Sequence, residues 1–462
     1  MSTAQILFDE ALIKKYDQSA PRYTSYPTAD RFHADFTEAD YRAALKDRGT
    51  RANPLSVYVH IPFCNTVCYY CACNKIVTKD HGKSAEYIRY LSQEMRMVCD
   101  AIGDPQSRVL EQLHFGGGTP TFLSHEEMSD LMAQIKQAFS FTSDAEISIE
   151  VDPRKVTVNT VEHLSALGFN RISVGVQDFN PDVQKAVNRL QTQEETVNVI
   201  AAARKNGFHS VNIDLIYGLP LQTLDGFTET LNRVMDISPD RIALYNFAYL
   251  PQFSKPQRRI NAQDIPHPDQ KLKILSRAIE LLCQSGYVYI GMDHFARPDD
   301  ELARAQREGK LNRNFQGYTT RADGDLLAFG VSGIGKVGAT YAQSVKTLEE
   351  YYAALDEQRL PILRGYALTR DDEIRRAAIQ SLMCHFALDE TAFGRQWGIV
   401  FDEYFAWEKT RLPPLVEDGL IELKPHTLRV TDRGRLLVRN VAMLFDRHLR
   451  ESARAASYSK TI

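Results

Sequence analysis

The sequence predicts an α/β fold: a partial (β/α)6 TIM-like barrel with an N-terminal arm and a mostly helical, winged-helix-like C-terminal domain. Three observations lead there. Six strand-like runs alternate with six apolar-periodic helices between residues 55 and 295, and unbroken β-then-α order implies parallel strands with right-handed crossovers. Several of these strands carry one apolar and one polar face, whereas a parallel sheet covered by helices on both sides is apolar on both. A polar inner face suits a barrel-like sheet whose site lies at its C-terminal mouth. Six strands are too few to close an eight-stranded barrel, so the barrel is expected to be open.

Residues 1–50 come first and are read as an arm or lid. MSTAQILFDEALIKKYDQ is amphipathic and carries acids, unlike a cleavable secretory leader. PRYTSYPTADRF (21–32) is rich in Tyr, Thr and Pro and reads as an ordered, non-helical arm. The barrel, 51–365, places strands at 56–63, 110–117, 146–153, 171–179, 211–218 and 241–250. Helices are expected near 84–101, 125–139, 157–167, 192–206, 224–237 and 269–285. Val57, Val59 and Ile61 oppose Tyr58 and His60; Ile147, Ile149 and Val151 oppose Ser148, Glu150 and Asp152. Ile172, Val174 and Val176 oppose Ser173 and Gln177, and Val211, Ile213 and Leu215 oppose Asn212 and Asp214. The last part, 366–462, turns helical and ends in a strand and helix like part of a winged helix. Its charges are mixed, which favours a structural or substrate-covering role over DNA binding.

Composition narrows the class. Lys+Arg 55 against Asp+Glu 59 gives a net charge of −4 over 462 residues, without the basic excess a general nucleic-acid or membrane-surface binder needs. Hydrophobic residues make up 44%, which excludes wholesale disorder. No run approaches the length of a transmembrane helix. A soluble, cytoplasmic protein is expected.

Four of the seven cysteines, Cys64, Cys68, Cys71 and Cys73, crowd into one short loop after the first barrel strand. Cys99, Cys283 and Cys384 lie singly in apolar, helical contexts and read as buried small hydrophobes. An odd count with one tight group reads as a metal site rather than a disulfide framework. Four thiolates would suit structural zinc; three would leave one iron of a cubane cluster without a protein ligand. No second cysteine knuckle exists, as zinc ribbons require. Cys73 follows Cys71 so closely that one metal could take both only through a sharp backbone bend, so its side chain is expected to point elsewhere.

C-x3-C-x2-C in this position resembles the radical S-adenosylmethionine signature, and YVHIPFCNTVCYYCACNK resembles the oxygen-independent coproporphyrinogen III dehydrogenases. PRYTSYPT, LHFGGGTPTFL, EVDPR, RISVGVQDF, VNIDLIYGLP, MDHFA and NFQGYTT extend the resemblance over nearly the whole chain. Shorter relatives that act as haem chaperones lack the arm and have Phe at the place of Cys73; a haem-binding protein without decarboxylase activity is the alternative reading.

The resemblance implies a [4Fe–4S] cluster on Cys64, Cys68 and Cys71, with the open iron chelated by S-adenosylmethionine, whose reductive cleavage gives a 5′-deoxyadenosyl radical. Gly116, Gly117 and Gly118 would approach its methionine part, while Tyr58, Tyr70, Glu150 and Ile334 would contact the same molecule. Thr119, Gln177, Arg189, Asp214 and Ala248 match positions around a second S-adenosylmethionine. Tyr58, His60 and Cys73 are the catalytic candidates. The implied reaction converts two propionates of coproporphyrinogen III to vinyls, giving protoporphyrinogen IX in haem biosynthesis. Implied partners are an electron donor such as flavodoxin or ferredoxin with its reductase and a terminal electron acceptor of unassigned identity; the protein would act as a monomer. Because the chain is net negative, local cations must hold the substrate carboxylates, and the candidates are Arg22, Lys255, Arg258, Arg259 and Arg313. GIGKVG (333–338) imitates a dinucleotide motif but no helix opens from it, so it is expected to be a loop at the nucleotide's rim.

Overall fold

Alternation of branched apolar residues with polar ones along Leu55–Ile61 buries Val57, Val59 and Ile61 on one side and turns Tyr58 and His60 to the other. The same period runs through residues 147–151 and 211–217. The computed structural model describes residues 6–50, 53–321, 323–451, 458 and 460. The start of the expected amphipathic N-terminal segment, 1–5, lies outside the described residues, and its helix runs over Glu10–Tyr16.

The chain divides into two compact units: Met1–Arg31, Leu275–Ala322 and Leu368–Ile462 in one, Phe32–Ile274 and Asp323–Ala367 in the other. The second unit holds the sheet. All six expected strands form: β1 Leu55–Ile61, β2 Val109–Gly117, β3 Ser140–Val151, β4 Arg171–Gln177, β5 Ser210–Tyr217 and β6 Arg241–Asn246. They pair in sequence order, each parallel to the next. The helices between them run over Gly82–Ile102, His125–Ala138, Val158–Leu167, Gln193–Lys205 and Leu224–Ile237. Ser124, Thr157, Thr192 and Thr223 start four of these, each accepting the amide three residues on.

Two expectations need correction. A seventh parallel strand, β7 Asp325–Phe329, lies on the free side of β1. It escaped the β-then-α count because no helix follows it. GIGKVG is not a loop: Ile334–Val337 is β8, antiparallel to β7 and to β9 Thr340–Ser344, and β10 Ile362–Ala367 completes the antiparallel edge. Glycine there lets β8 lie close on its neighbour, since a Cβ on Gly335 would meet the Leu326 carbonyl oxygen at 2.7 Å. The sheet of this unit is thus a seven-stranded parallel array, open rather than closed, with an antiparallel flap.

In the first unit Arg370–His385 leads into a small antiparallel sheet with Thr427–Val430 between Ala387–Asp389 and Ile421–Lys424. The strand expected at LRVT forms as Thr427–Val430 and pairs with Ile421–Lys424 as a hairpin. The 21–32 segment is non-helical apart from one short turn at Ala29–Arg31. Its buried Tyr23 hydroxyl donates to Asp446 (3.0 Å), and Tyr26 packs its ring against His448. Among the described residues no helix is long and apolar enough to cross a membrane.

One buried ion pair fastens the unpredicted strand. Arg48, 1% exposed, pairs with Asp325, 2% exposed, and donates to the Ser107 carbonyl (2.9 Å); Asp325 also accepts the Gly338 amide (2.7 Å). Replacing Arg48 by Met leaves a buried carboxylate without its cation, which costs about 3–5 kcal/mol. The measurement is the urea midpoint of Arg48→Met against the parent chain, and the midpoint should fall with the slope unchanged.

Candidate functional site

The polar faces of β1 to β5 meet near the carboxyl ends of the strands, so neighbouring strands offer each other hydrogen bonds there. His114 on β2 reaches Ser148 (2.6 Å) and Glu150 (3.4 Å) on β3; Asn212 on β5 donates to Ser173 on β4 (2.9 Å) and to Asp214 (2.8 Å). Tyr58 stacks on His114 at 5.9 Å. Glu150 is 47% exposed although surrounded by protein, because it faces open space on the polar side of the sheet. Burial opposes its charge, but the His114 Nε2–H and the Gly117 amide (3.3 Å) donate to it and hold its carboxyl below the usual range. Asp214 is pushed up to about 6 by burial and by the Glu150 charge, against hydrogen bonds from Ser173 and Asn212.

Tyr58 and His60 form a short chain. The His60 Nε2 lies 3.0 Å from the Asn74 carbonyl oxygen, which can only accept, so the proton sits on Nε2. Burial pushes the imidazole pKa down. Neutral His60 then accepts the Tyr58 hydroxyl at Nδ1 (3.0 Å), which leaves the Tyr58 oxygen free to accept from a ligand. The glycines end β2 beside this pair. A Cβ on Gly117, at φ +115°, would meet the His60 ring at 2.6 Å, and one on Gly118 would meet the Pro62 carbonyl oxygen at 2.6 Å. These glycines therefore make room for the protein's own groups, a constraint the sequence reading assigned to a bound methionine.

Cys64 ends the two-residue strand Phe63–Cys64; Cys68 and Cys71 follow in turns. Each has a donor or cation nearby. Thr119 donates its hydroxyl to Cys64 Sγ (3.5 Å), and Arg189 and Arg154 donate to Cys68 Sγ (3.5 and 3.8 Å). Lys75 Nζ donates to the Cys71 carbonyl (2.9 Å). The hydrogen bond with Cys73 is the largest influence on Cys71 and brings its thiol down to about 6, while burial pushes Cys64 up to about 11. Cys64 therefore needs a metal cation beside it to become a thiolate. Soft donors supported by N–H and O–H groups fit an anionic iron–sulfur cluster. Among the described residues no three His, Cys, Asp or Glu side chains gather as a single ion would require.

The Cys73 side chain does not turn away. Although the residue is exposed, its thiol lies against that of Cys71, and that hydrogen bond, with burial, drives its pKa well up. Tyr70, between the second and third cysteines, sits in an apolar pocket with Val183, Val187, Leu219, Phe247 and Ile260. Gln177 ends β4 at φ +69°, past a register shift. Arg189 is buried and ties the Gly175 carbonyl (2.6 Å) to Asp152 (3.4 Å) and Cys68. Ala248 is exposed just beyond β6, and Ile334 opens β8, paired with Gln343. All these residues belong to the second unit.

Sequence reasoning missed several residues. His114 lies on the polar face of β2, two residues before Gly116, and the alternation used for the other strands would have found it. Asp152 and Arg154 were quoted within EVDPR without a role; they pair at 2.5 Å beside Cys68. Gln257 is buried and donates to the carbonyls of Tyr70 (3.0 Å) and Ala248 (3.1 Å), and Ser254 donates to that of Cys71 (3.2 Å). No local pattern announces such clamps. Of the basic candidates, Arg22 is paired with Asp293, and Lys255, Arg258 and Arg259 are exposed. Arg313 is buried over the Tyr318 ring (4.7 Å), and its Nε and Nη1 have no hydrogen-bond partner among the described residues.

Known proteins give the same picture. Residues 58–234 match the Radical SAM superfamily and 368–437 the HemN C-terminal domain. The chain is 51% identical over 462 residues, all of both chains, to the oxygen-independent coproporphyrinogen III oxidase of Escherichia coli K12. It is 50% identical over 446 residues, 96% of each chain, to the enzyme of that name in Pseudomonas aeruginosa. A solved Escherichia coli coproporphyrinogen III oxidase, described as a radical SAM enzyme, superposes with a TM-score of 0.92 at 50% identity. It covers 96% of this chain and 100% of its own.

The placement of the sulfurs makes a prediction about the loop. Cys68→Ser should abolish iron and sulfide incorporation on anaerobic reconstitution, because a hydroxyl is a poor ligand for soft metal centres. Cys73→Ser should retain both, since a hydroxyl can still donate to Cys71 and the C-x3-C-x2-C spacing does not include residue 73. Iron and sulfide analysis of the two variants checks it.

Proposed function

The chain belongs to the oxygen-independent coproporphyrinogen III oxidases of the radical SAM superfamily, and we propose that it converts coproporphyrinogen III to protoporphyrinogen IX by oxidative decarboxylation of two propionates. The observation that carries this reading is the convergence, at one end of an open parallel sheet, of the donor-supported sulfurs of Cys64 and Cys68, and of Cys71 hydrogen-bonded with Cys73, with Glu150 and Asp214. When bound, the [4Fe–4S] cluster and S-adenosylmethionine supply the radical chemistry by which hydrogen is taken from the substrate.

The residues of the chain divide the remaining work. Cys64, Cys68 and Cys71 hold the cluster. Glu150, kept ionised by His114 and Gly117, accepts the amino or ribose hydroxyl protons of one S-adenosylmethionine, with Tyr58, Tyr70, Gly117, Gly118 and Ile334 around it. Asp214, with Thr119, Gln177, Arg189 and Ala248, takes a second molecule. Tyr58 and His60 orient ligand through the hydroxyl-to-imidazole chain, and Cys73 faces the reaction chamber. No proton has to be removed for the decarboxylation itself: a propionate carboxylate leaves as carbon dioxide, and the electron left behind passes to an acceptor. At that step the protein holds the carboxylate and excludes water, and residues 1–50 serve as the covering arm. In the cell the reading is of a cytoplasmic monomer reduced by a flavodoxin- or ferredoxin-type donor.

An anaerobic assay with coproporphyrinogen III, a reductant and S-adenosylmethionine tests the function directly. It should release carbon dioxide, 5′-deoxyadenosine and a monovinyl intermediate ahead of protoporphyrinogen IX. Tight haem binding without turnover would replace this reading by the haem-chaperone one.

A substrate carboxylate needs a donor that is not already paired, and among the described residues Arg313 has two such nitrogens. A hydrogen bond to a charged group contributes about 1.5–3 kcal/mol, so Arg313→Gln should raise the substrate KM roughly tenfold or more. Iron content and substrate-free cleavage of S-adenosylmethionine, measured on the same preparation, should stay at parental values.

A further inference from the structure

We propose that the exposed basic face of the segment following β6, formed by Leu250, Phe253, Lys255, Arg258 and Arg259, is the docking surface for a small acidic one-electron carrier protein that reduces the cluster. The proposal rests on the radical SAM reading above and adds to its one-electron donor the surface on which that donor docks. In that chemistry one electron leaves the carrier's reduced flavin or iron–sulfur group and enters the cluster, with no bond made or broken.

Charge is the first observation. From Phe247 to Gln263 the sequence has no Asp or Glu and carries Lys255, Arg258 and Arg259. The cysteine loop from Pro62 to Lys79 is likewise free of acids and carries Lys75 and Lys79. On a chain of net charge −4 this is a local reversal of sign. A partner reading it must be negative, and the positive patch raises its encounter rate at low salt.

Exposure is the second. Lys255, Arg258 and Arg259 all face solvent, and between them and β6 lies Phe253, 71% exposed, with Leu250 at 37%. Phe253 is the most exposed large apolar side chain among those described. An apolar residue ringed by cations is the composition of a small, transient contact, and redox encounters occupy the small end of protein interfaces. A nucleic acid would need many more phosphate contacts than three cations supply.

Connection is the third. The segment is bolted to the cysteine loop by Ser254 on the Cys71 carbonyl (3.2 Å), Gln257 on the Tyr70 carbonyl (3.0 Å) and Arg259 over the Tyr69 ring (5.4 Å). A protein seated on Phe253 and Lys255 is therefore one short loop away from the cluster ligands. The exposed cations, placed by the sequence among candidates for the substrate carboxylates, fit this external role better than buried Arg313 does.

The test uses the reconstituted holoenzyme, a flavodoxin as the probe and the variants Lys255→Glu/Arg258→Glu and Phe253→Ser. Flavodoxin affinity, measured by fluorescence anisotropy at low and high salt, should weaken roughly tenfold in the charge-reversed variant and lose most of its salt dependence. Phe253→Ser should weaken it at both salt levels. Flavodoxin-driven turnover should fall in parallel, while turnover driven by dithionite keeps its parental rate and substrate KM. Parental flavodoxin affinity in both variants would overturn the proposal, as would a raised substrate KM with dithionite. Failure of the radical SAM reading itself is distinguishable: neither reductant would then drive the parent enzyme.

Discussion

Arg189 is the buried cation on which the anionic end of the sheet depends. Sulfur ligands, Asp152, Glu150 and Asp214 lie within one polar region, and carboxylates brought together out of bulk water repel each other unless positive charge or N–H donors stand between them. Arg189 supplies that charge from inside. Its Nη2 is fixed on the Gly175 carbonyl, which leaves Nη1 aimed at Cys68 Sγ and Asp152. Burial works against the guanidinium charge, but Tyr70, Asp152 and Cys68 more than offset it and drive its pKa further up. Arg154 reaches the same Asp152 oxygen and the same Cys68 sulfur. The two carboxylates further along the polar face behave differently: His114 and the Gly117 amide outweigh burial at Glu150, whereas burial and the Glu150 charge outweigh Ser173, Asn212 and Arg189 at Asp214, which rises to about 6. Two acids in one chamber thus have separate protonation behaviour, set by the balance of burial and neighbouring charge against their hydrogen bonds.

Periodicity made the sheet legible. Short apolar runs alternating with helical periods located all six β-then-α strands, the Val, Ile and Leu alternation gave the facing of four of them, and the helix Leu224–Ile237 falls where its apolar period starts and stops. The seventh parallel strand was hidden for a physical reason. Asp325–Phe329 is buried at four of its five positions and shows no alternation, and its partner β1 lies far away in sequence. The same limit applies to the site. Residues on strands could be read from facing alone, as with Glu150 and Asp214, and the cysteine spacing stands out because few other chemistries need it. Gln257 and Ser254 could not be read, because their role is set by a loop that returns to the cysteines from almost two hundred residues further along the chain. Cys73 is an intermediate case. Its close spacing from Cys71 led to the expectation that the side chain points elsewhere, yet spacing says nothing about two thiols hydrogen-bonding each other, as these do.

The openness of the sheet is a functional requirement more than an incomplete barrel. A closed eight-stranded barrel has an interior just wide enough for its own side chains to fill, and its site is pushed out onto the loops. Here the parallel array stops at seven strands, and the polar face of β1 to β5 keeps space in front of it, as the half-exposed Glu150 demonstrates. A macrocycle with four carboxylates needs such space, and it needs its charges met locally because the chain as a whole repels it. The positive charge at the sheet is already committed: Arg154 and Arg189 are engaged with Asp152 and Cys68. Cations for a bound anion must therefore come from elsewhere in the chain, and the exposed ones cost little to pair with water. A buried guanidinium with donors unused, as in Arg313, gains far more from a carboxylate than a solvated lysine does. The difference in burial suits the basic residues to different tasks: desolvated ones to holding a small charged ligand, solvated ones to steering a transient partner such as the one proposed for the segment after β6.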